Sequence, residues 1–494
     1  MKKPLNVVFI LADDMGAWAM HCAGNDEIVT PNLDRIARNG MRFENFFCAS
    51  PVCSPARASI MTGTIPSAHG VHDWIVSGNV DRERLGKYEN EKRFANETVA
   101  YGYLDGIPCY TDLLAENGYT CALSGKWHMG DSLRPQHGFS RWYTIARGGA
   151  PYFHPDMVEN GKITIENEYI TDLITQNALK NLDELHQEGK PFYLSVHYTA
   201  PHSPWEREQH KEEHLSLYDA CPFHSTPDLP LHPWTRAFWL AGDTPEKRRS
   251  NLTGYYAAIT AMDECIGRIL DRLETLGEAE NTLVIFTADN GMSMGHHGIW
   301  GKGNGTFPLN MYDSAVKVPM LAMLPGTIGA GRVVSSMHSH YDIMPTLIDF
   351  LGIDTPLPKN LPGRSFADVL LGCPRRSPGH VVVFDEYGAT RMIRTDRVKY
   401  VARFPFGPDE LYDLEHDPEE TVNLVRDPAW QETKQQLRLQ LFGWFNQYAD
   451  PAVDGTREPV LGNGQLAPAG EKSGGKKTFM GDFDASYLKG VEEF

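Results

Sequence analysis

Two pairs of oxygen-bearing side chains give the first chemical signal in the sequence. Asp13 and Asp14 directly follow one short apolar segment, and Asp289 and Asn290 directly follow another. Adjacent carboxylates repel one another unless a cation or protons compensate, and hard oxygen ligands suit Ca²⁺ or Mg²⁺. Taken alone, an Asp pair more often caps a loop or a helix, and Asn290-Gly291 would also suit a hairpin turn. Together, the four residues suggest one cation site built from oxygen donors.

A cysteine lies in an unusual local context at Cys53-Ser54-Pro55-Ala56-Arg57. Proline is favoured in the first turn of a helix, so Cys53 is predicted at or just before a helix N-terminus, where backbone N–H groups favour an anion. Arg57, one turn further on, can offer a bidentate fork to a tetrahedral oxyanion. An isolated cysteine is more often a small buried apolar residue, but burial does not explain the proline and arginine around this one.

Two histidines and two lysines follow other apolar segments. Lys126 and His128 are two positions apart, so in an extended segment both side chains would point to the same side. His202 lies in a Pro-His-Ser-Pro loop, and Lys302 lies in a glycine-rich segment after Asn290. Each histidine taken singly is more often a surface residue or a structurally satisfied one. Because both follow predicted strands, we expect them at the same edge of a sheet.

The elements that must position these residues form an α/β pattern, in which short apolar runs alternate with longer amphipathic segments. Ligands bind beyond the carboxyl ends of parallel strands, so motifs distant in sequence can converge there. We predict a large, mostly parallel or mixed sheet sandwiched by helices, with a smaller C-terminal α+β subdomain. The predicted strands are Asn6–Ala12, Arg42–Phe47, Thr120–Ser124, Phe192–Tyr198, Leu283–Ala288, Pro319–Leu324 and His380–Asp385, and the predicted helices are 30–40, Tyr110–Asn117, Thr171–His186, Gly254–Leu276, Tyr341–Leu351 and Pro428–Tyr448.

Changes in composition suggest how the chain is divided. We place a large N-terminal domain at residues 1–375 and a C-terminal subdomain with a small sheet, a helix and a tail at 376–494. Residues 77–103 look like an insertion, and the loop-rich stretch 221–239 is expected on the surface near a cleft. The aromatic residues of the tail, Phe479, Phe483, Tyr487 and Phe494, suggest packing either onto a neighbouring molecule or onto the chain's own cleft.

Composition and charge exclude several classes of protein. The 494 residues contain 46 basic and 64 acidic side chains, for a net charge of −18, with no block of basic residues, which disfavours broad binding to nucleic acid or to anionic membranes. No apolar run approaches the roughly 18 residues that would span a bilayer. The N-terminus lacks a cleavage-site pattern and the eight cysteines show no CxxC pair, so we expect a cytoplasmic protein with free thiols.

In their order along the chain, these motifs resemble the type I, formylglycine-dependent sulfatases of the alkaline phosphatase superfamily. The resemblance spans about residues 5–425, and neither 77–103 nor the tail after about Asp450 takes part in it. The matching features are Asp13-Asp14, the C-x-P-x-R signature from Cys53 to Arg57, GKWH with Lys126 and His128, His202 between prolines, Asp289-Asn290-Gly291, Lys302, and the LYDLEHDPEETVNL stretch at Leu411–Leu424.

The resemblance implies a cofactor, a modification and a role for each site residue. Cys53 would be oxidised to Cα-formylglycine by a maturation enzyme, and the hydrated aldehyde would attack sulfur. One Ca²⁺ would be held by Asp13, Asp14, residue 53, Asp289 and Asn290. His202, with Lys302, would stabilise or protonate the departing alkoxide, and His128 would take the proton of the second hydroxyl, while Arg57 and Lys126 would orient the diol.

The choice of substrate rests on weaker signals. The GHHGIWGKG segment is similar to that of bacterial carbohydrate sulfatases, and polar and aromatic residues such as His72, Arg147 and Tyr152 would suit a sugar. We hypothesise an exo-acting sulfatase for a small sulfated saccharide, such as a hexosamine 4- or 6-sulfate from a glycosaminoglycan. The alternatives are an arylsulfatase, a phosphate or phosphonate ester hydrolase, and a non-catalytic binder of sulfated glycans in which Cys53 stays a thiol. The sequence leaves the oligomeric state open, a homo-oligomer included.

Overall fold

A computed structural model describes residues 3–236, 241–372 and 383–481. Its main sheet has ten strands in the spatial order β12-β2-β11-β8-β1-β7-β3-β4-β5-β6. These strands are β1 (Asn6–Ala12), β2 (Met41–Phe47), β3 (Thr120–Gly125), β4 (Phe139–Ile145), β5 (Asp156–Glu159), β6 (Lys162–Ile165), β7 (Phe192–His197), β8 (Thr282–Ala288), β11 (Met320–Met323) and β12 (Arg332–Ser339), and a two-stranded ribbon adds β9 (Ser293–Met294) and β10 (Trp300–Gly301).

The centre of the main sheet is parallel. β8, β1, β7, β3 and β4 run in the same direction, whereas β11 is antiparallel to both of its neighbours and β5 and β6 continue the β4 edge as antiparallel strands. β1, β7 and β8 are buried along their whole length, as expected for parallel strands covered on both faces. The predicted α/β class with a large mixed sheet is confirmed.

Helices pack on the sheet and begin and end at recognisable signals. α1 has Pro31 in its first turn and stops before Gly40, and α7 begins after Thr244, whose side chain accepts a hydrogen bond from the Lys247 backbone N–H. The helices are α1 (Pro31–Asn39), α2 (Cys53–Thr62), α3 (Pro66–His69), α4 (Tyr110–Glu116), α5 (Ile170–Glu188), α6 (Glu212–Leu215), α7 (Pro245–Thr275), α8 (Asp313–Val316), α9 (Ile343–Phe350), α10 (Ala367–Leu370) and α11 (Gln431–Tyr448). In the described part of the chain, the helices are all too short or too polar to cross a membrane.

A small antiparallel sheet follows in the C-terminal part, with the order β13 (Val383–Tyr387), β14 (Thr390–Arg394), β15 (Val398–Arg403) and β16 (Glu410–Asp413). α11 packs on this sheet through Leu437, Leu441 and Phe445. The boundary predicted at 375/376 lies outside the described residues, as does the start of the strand predicted at His380, so the division into two domains stays a prediction.

The structure differs from the predicted elements mainly at the sheet edges. β4, β5, β6 and β12 were not predicted, because partly exposed strands near a sheet edge lack a continuous apolar run: β12 reads RVVSSMHS and exposes Val333. α7 begins nine residues before the predicted start at Gly254, since the added turns are polar and largely exposed. The tail up to residue 481 packs onto the chain's own large domain, where Phe479 is buried; Phe483, Tyr487 and Phe494 lie outside the described residues.

Candidate active site

Four neighbouring parallel strands deliver the predicted site residues to one edge of the sheet. Asp13 follows β1 and Asp289 follows β8, and the backbone N–H of Asp289 donates to the Ala12 carbonyl oxygen (3.1 Å). Lys126 follows β3, and His202 follows β7 after a short loop. Because β8, β1, β7 and β3 lie side by side, segments up to 276 residues apart in sequence meet there.

The acidic and amide residues form one buried cluster. The Asp14 backbone N–H donates to Asp289 Oδ1 (3.1 Å), and Asn290 Nδ2 donates to Asp14 Oδ1 (2.8 Å). Asp13 Oδ1 and Asn290 Oδ1 are buried without a hydrogen-bond partner among the described residues. Ligand atoms of Asp13, Asp14 and Cys53 lie within 4.8 Å of one another. Buried oxygens that lack donors fit a hard cation such as Ca²⁺.

Three buried cations balance the three carboxylates of this cluster. Lys126 Nζ pairs with Asp13 Oδ2 (2.5 Å) and Lys302 Nζ with Asp14 Oδ1 (2.5 Å). Arg57 Nε pairs with Asp289 Oδ2 (2.8 Å), and its NH1 donates to the Lys126 carbonyl oxygen (3.0 Å). The cluster is therefore neutral before any metal ion binds, and a bound divalent cation would make it positive.

The pKa values of the carboxyls reflect this pairing. Burial acts to raise the pKa of Asp13 and of Asp14, but the surrounding positive groups, led by Lys126 at the first and Lys302 at the second, together outweigh it, so both pKa values lie below the ordinary value. The pKa of Asp289 is raised by burial and by the charge of Asp13, despite its ion pair with Arg57. Asp13 and Asp14 are thus anionic ligands at neutral pH.

Cys53 is the first residue of α2, as its proline-containing context predicts. Its side chain is buried, and its Sγ lies 3.2 Å from Lys302 Nζ. Burial raises the pKa of the thiol above its ordinary value, and the charges of Lys126 and Lys302 offset this only in part. An unmodified Cys53 is therefore a protonated thiol at neutral pH and a poor nucleophile.

His128 does not lie in the extended segment that its spacing from Lys126 suggested. Its φ is 57°, in the left-handed region, so the chain turns at this residue. His128 Nε2 donates to the Ile75 carbonyl oxygen (2.9 Å), which requires the proton on Nε2, while Nδ1 is buried without a partner among the described residues. Burial and the charge of Lys126 lower the pKa of His128 well below its usual value, so the ring is a neutral proton acceptor.

His202 lies at the solvent side of the site. Its Nδ1 donates to the Ser203 carbonyl oxygen (2.6 Å), and its Nε2 is 3.6 Å from Asp14 Oδ2. The side chain is 23% exposed, against 4% for Lys302 and none for Lys126. Of the predicted catalytic residues, His202 is thus the one best placed to meet the part of a substrate that extends into solvent.

Several residues that the sequence did not single out complete the site. His197, at the end of β7, faces the Lys126 carbonyl oxygen through Nδ1 (3.1 Å), and Tyr255 of α7 donates to the Asp14 carbonyl oxygen (2.9 Å). Gly148 lies so close to the His128 ring that a Cβ there would be 2.0 Å from Nε2, so only glycine fits. The position of His197 at the end of a predicted strand could have indicated its place in the site. No feature of the neighbouring sequence indicates the contacts of Tyr255 and Gly148.

Comparisons with known proteins show the family of the chain and match its fold. A family model described as Sulfatase matches residues 5–353, and one described as N-sulphoglucosamine sulphohydrolase, C-terminal, matches residues 295–447. The N-acetylglucosamine-6-O-sulfatase of Bacteroides thetaiotaomicron is 27% identical, over 94% of this chain and 90% of that protein. The choline-sulfatase of Rhizobium meliloti is 30% identical, over 86% and 83%. A solved structure in complex with its substrate D-glucosamine-2-N,6-O-disulfate has a TM-score of 0.73 and 26% identity, over 92% of this chain and 99% of that one.

Proposed function

The chain belongs to the sulfatase family, as a type I sulfatase that hydrolyses sulfuric esters, and we propose that its substrate is a hexosamine 6-O-sulfate at the end of a short saccharide. The observation that carries the proposal is the convergence of Cys53, three carboxylates and three cations at one buried edge of the sheet. The sugar and the sulfate position are supported by the activity for which the Bacteroides relative is named and by the disulfated glucosamine bound in the structural relative.

We propose further that Cys53 is converted to formylglycine and that Asp13, Asp14, Asp289 and Asn290 hold one Ca²⁺. The buried oxygens of Asp13 and Asn290 that lack hydrogen-bond partners among the described residues support the Ca²⁺ site, because they need a cation. The raised pKa of the Cys53 thiol supports its conversion to formylglycine, because the unmodified thiol is a poor nucleophile. When bound, Ca²⁺ supplies positive charge that stabilises the sulfate oxygens as they approach the transition state.

The side chains of the chain itself account for the remaining charge and proton movements. Lys126 and Lys302 lie within the buried cluster and face the region of residue 53, so they can bind the sulfate oxygens and hold the nucleophile in line. Arg57 fixes Asp289 and the Lys126 carbonyl. In its doubly protonated form, with Nδ1 bonded to the Ser203 carbonyl oxygen, His202 Nε2 can donate a proton to the departing sugar oxygen at the solvent side and leave a neutral ring. His128 Nδ1 can accept a proton on the buried side of the site.

The test is a substrate panel with the purified, Ca²⁺-loaded protein. It compares N-acetylglucosamine 6-sulfate, N-acetylgalactosamine 6-sulfate and 4-sulfate, choline sulfate, an aryl sulfate, and the matched aryl phosphate and phosphonate. We expect the highest kcat/KM on a hexosamine 6-sulfate monosaccharide or disaccharide. Preference for choline sulfate or for the phosphorus esters, or sulfate release from long chains only, would contradict the proposal.

A matched pair of cysteine variants tests the modification. Cys53→Ala should abolish turnover, whereas Cys48→Ala should retain it, since Cys48 is equally buried but lies before α2 and outside the site. Mass spectrometry of the tryptic peptide 43–57 should show that the thiol of Cys53 is replaced by an aldehyde. An active protein in which Cys53 is an intact thiol would refute the formylglycine assignment.

A further inference from the structure

The C-terminal segment 449–481 lies beyond the second family match, which ends at residue 447, and it returns to the large domain. There residues 464–466 pair with 74–76 on one side and with 478–480 on the other. Gln465 forms a parallel bridge with Ile75 and an antiparallel bridge with Phe479. The Val76 backbone N–H donates to the Gln465 carbonyl oxygen (2.9 Å), and the Gln465 N–H donates to the Trp74 carbonyl oxygen (2.8 Å).

The side chain of Gln465 is fully buried and all of its hydrogen-bonding capacity is used within this packing. Its Oε1 accepts from the backbone N–H groups of His72 (2.8 Å) and Asp73 (3.3 Å), and its Nε2 donates to the carbonyl oxygens of Gly70 and Ala467 (both 3.0 Å). One amide therefore ties the segment 70–73 to the tail. Such a saturated, water-free group fixes the backbone it binds, because breaking any of these bonds leaves a buried polar atom unpaired.

The segment held in this way reaches the active site through the backbone of Ile75. The Ile75 N–H donates to Ser54 Oγ (3.1 Å), next to Cys53, and the Ile75 carbonyl accepts from His128 Nε2 (2.9 Å). The same tail also contacts the Lys302 segment, where Asn304 Nδ2 donates to the Gly462 carbonyl oxygen (3.3 Å). The tail therefore contacts, through the segment 74–76 and through Asn304, the segments that carry Cys53, His128 and Lys302.

We propose that Gln465 is a positioning residue for the sulfatase reaction: by fixing residues 72–76, it holds the Ile75 carbonyl that keeps the His128 proton on Nε2 and leaves Nδ1 as the proton acceptor. This inference rests on the proposed function. If the Ile75 carbonyl moves, the His128 ring is free to rotate or to change tautomer, and Nδ1 is no longer held as the acceptor of the hydroxyl proton of residue 53. The general base is then misplaced without any change in the residues that bind sulfate.

The step that depends on His128 is the release of sulfate from residue 53. A hydroxyl proton passes to His128 Nδ1, the electron pair of that O–H bond forms the aldehyde C=O bond, and the C–O bond to sulfate breaks with its electron pair leaving on the sulfate oxygen. In the earlier transfer, one hydroxyl of residue 53 forms the new O–S bond and its proton passes to a carboxylate of the buried cluster, while the S–O bond to the substrate breaks and His202 protonates the departing oxygen. This step does not need His128. A misplaced His128 should therefore slow the second step alone.

The experiment compares Gln465→Met, which keeps the side-chain length and removes the amide, with Gln465→Glu, which keeps the acceptor for the His72 and Asp73 N–H groups. Lys472→Met is the matched control in the same tail, because Lys472 is exposed and, in the described part of the chain, its Nζ donates to the Asp105 carbonyl oxygen alone. Each purified protein is checked for aldehyde content at residue 53 and for its thermal midpoint. Rapid mixing with an aryl sulfate then follows phenol release before and during steady state.

For Gln465→Met we expect kcat to fall about 10- to 100-fold, since general-base catalysis contributes about 10²–10⁴-fold. KM should fall in parallel, so that kcat/KM, which the first step sets, changes by less than about twofold. We also expect a burst of about one phenol per active site, because the second step has become rate-limiting. Gln465→Glu should show a smaller defect of the same kind, and Lys472→Met none. ¹⁵N NMR of histidine-labelled protein, assigned with His128→Gln, should show Nε2 protonated in the wild type and a changed tautomer signal in Gln465→Met.

Each other outcome contradicts the inference. A wild-type kcat in Gln465→Met, or a fall in kcat without a burst and with an unchanged His128 signal, would show that Gln465 only stabilises the fold. If Gln465→Met does not fold, the burst and the NMR signal of Gln465→Glu decide in the same way. A wild-type protein that releases sulfate from no ester would refute the proposed function instead, and the tautomer measurement would still test the role of Gln465.

Discussion

His202 should matter in proportion to how poor the leaving group is. Its Nδ1 proton is committed to the Ser203 carbonyl oxygen, so Nε2 is the nitrogen that faces the site, 3.6 Å from Asp14. A sugar alkoxide is strongly basic and needs a proton as the S–O bond breaks, whereas an acidic phenol leaves without one. The variant His202→Gln keeps a polar side chain of similar size and removes the proton donor.

The size of the effect follows from the exposure of the ring. Loss of one preorganised donor to a developing oxyanion costs about 2.7–4 kcal/mol, which corresponds to about 10²–10³-fold in rate. At 23% exposed, the His202 ring is less shielded from water than the 4% exposed Lys302, so we expect the lower end of that range. His202→Gln should thus lose about 100-fold in kcat/KM on a hexosamine 6-sulfate and less than about threefold on an aryl sulfate with an acidic phenol.

The assay measures kcat/KM for the sugar sulfate and for a series of aryl sulfates of graded phenol acidity. In the variant, the logarithm of kcat/KM should fall more steeply as the leaving group becomes more basic. His416→Gln is the control, since His416 is 77% exposed and its Nδ1 pairs with Asp413 of the C-terminal sheet, which is not part of the site. An equal loss for every leaving group, or a loss confined to KM, would refute the assignment of His202 as the general acid.

Three further results are expected. Chelation of divalent cations should abolish turnover and lower the unfolding midpoint, because an ion that binds only the folded chain stabilises it. The far-UV circular dichroism should stay unchanged, because the buried cations already neutralise the carboxylates; unfolding on chelation would contradict this. Burial lowers the pKa of His210 to about 4. Between about pH 6.5 and pH 4 the unfolded chain therefore binds a proton at this residue that the folded chain does not, and the wild-type protein loses stability as pH falls. In His210→Gln, urea unfolding should show a loss smaller by about 1.4 kcal/mol per pH unit over that range. Burial raises the pKa of Asp385, whose two carboxyl oxygens have no hydrogen-bond partner among the described residues. The free energy of unfolding should therefore fall as pH rises from about 4, because the unfolded chain ionises this carboxyl first. At pH 8, Asp385→Asn should be more stable than wild type by about 1–3 kcal/mol. If the free energy of unfolding of His210→Gln or of Asp385→Asn depends on pH as in the wild type, the pKa assigned to that residue is wrong.

The convergence of the site was predictable because its cause is local. β1, β3, β7 and β8 are each a short apolar run that ends directly before a polar motif, and that pattern identifies both a buried parallel strand and its functional end. Edge strands such as β12 pair on one side only and carry polar residues, so the same pattern misses them. Sequence therefore predicted the centre of the fold better than its rim.

The parts that sequence did not predict depend on contacts between distant backbone segments. His128 is oriented by the carbonyl oxygen of Ile75, an atom that every residue has and that no motif marks. Gln465 binds the His72 N–H across 393 positions, from a tail that takes no part in the sequence resemblance and lies beyond both family matches. From the sequence alone, the amide of Gln465 could equally be exposed to solvent. Such positioning is visible only when the chain is folded.

The acidic balance of the chain and its anionic substrate are compatible because the two charges lie at different depths. The net charge of −18 acts over the whole surface, where it opposes the approach of a long polyanion. In the buried cluster, three carboxylates are already paired with three cations, so the divalent metal ion proposed above would give the site a net positive charge that water does not screen. A single sulfate group can enter that field, while the rest of a polysulfated chain would remain in the repulsive field of the surface. The charge distribution therefore supports the proposed removal of one terminal sulfate from a short saccharide rather than action along an intact polymer.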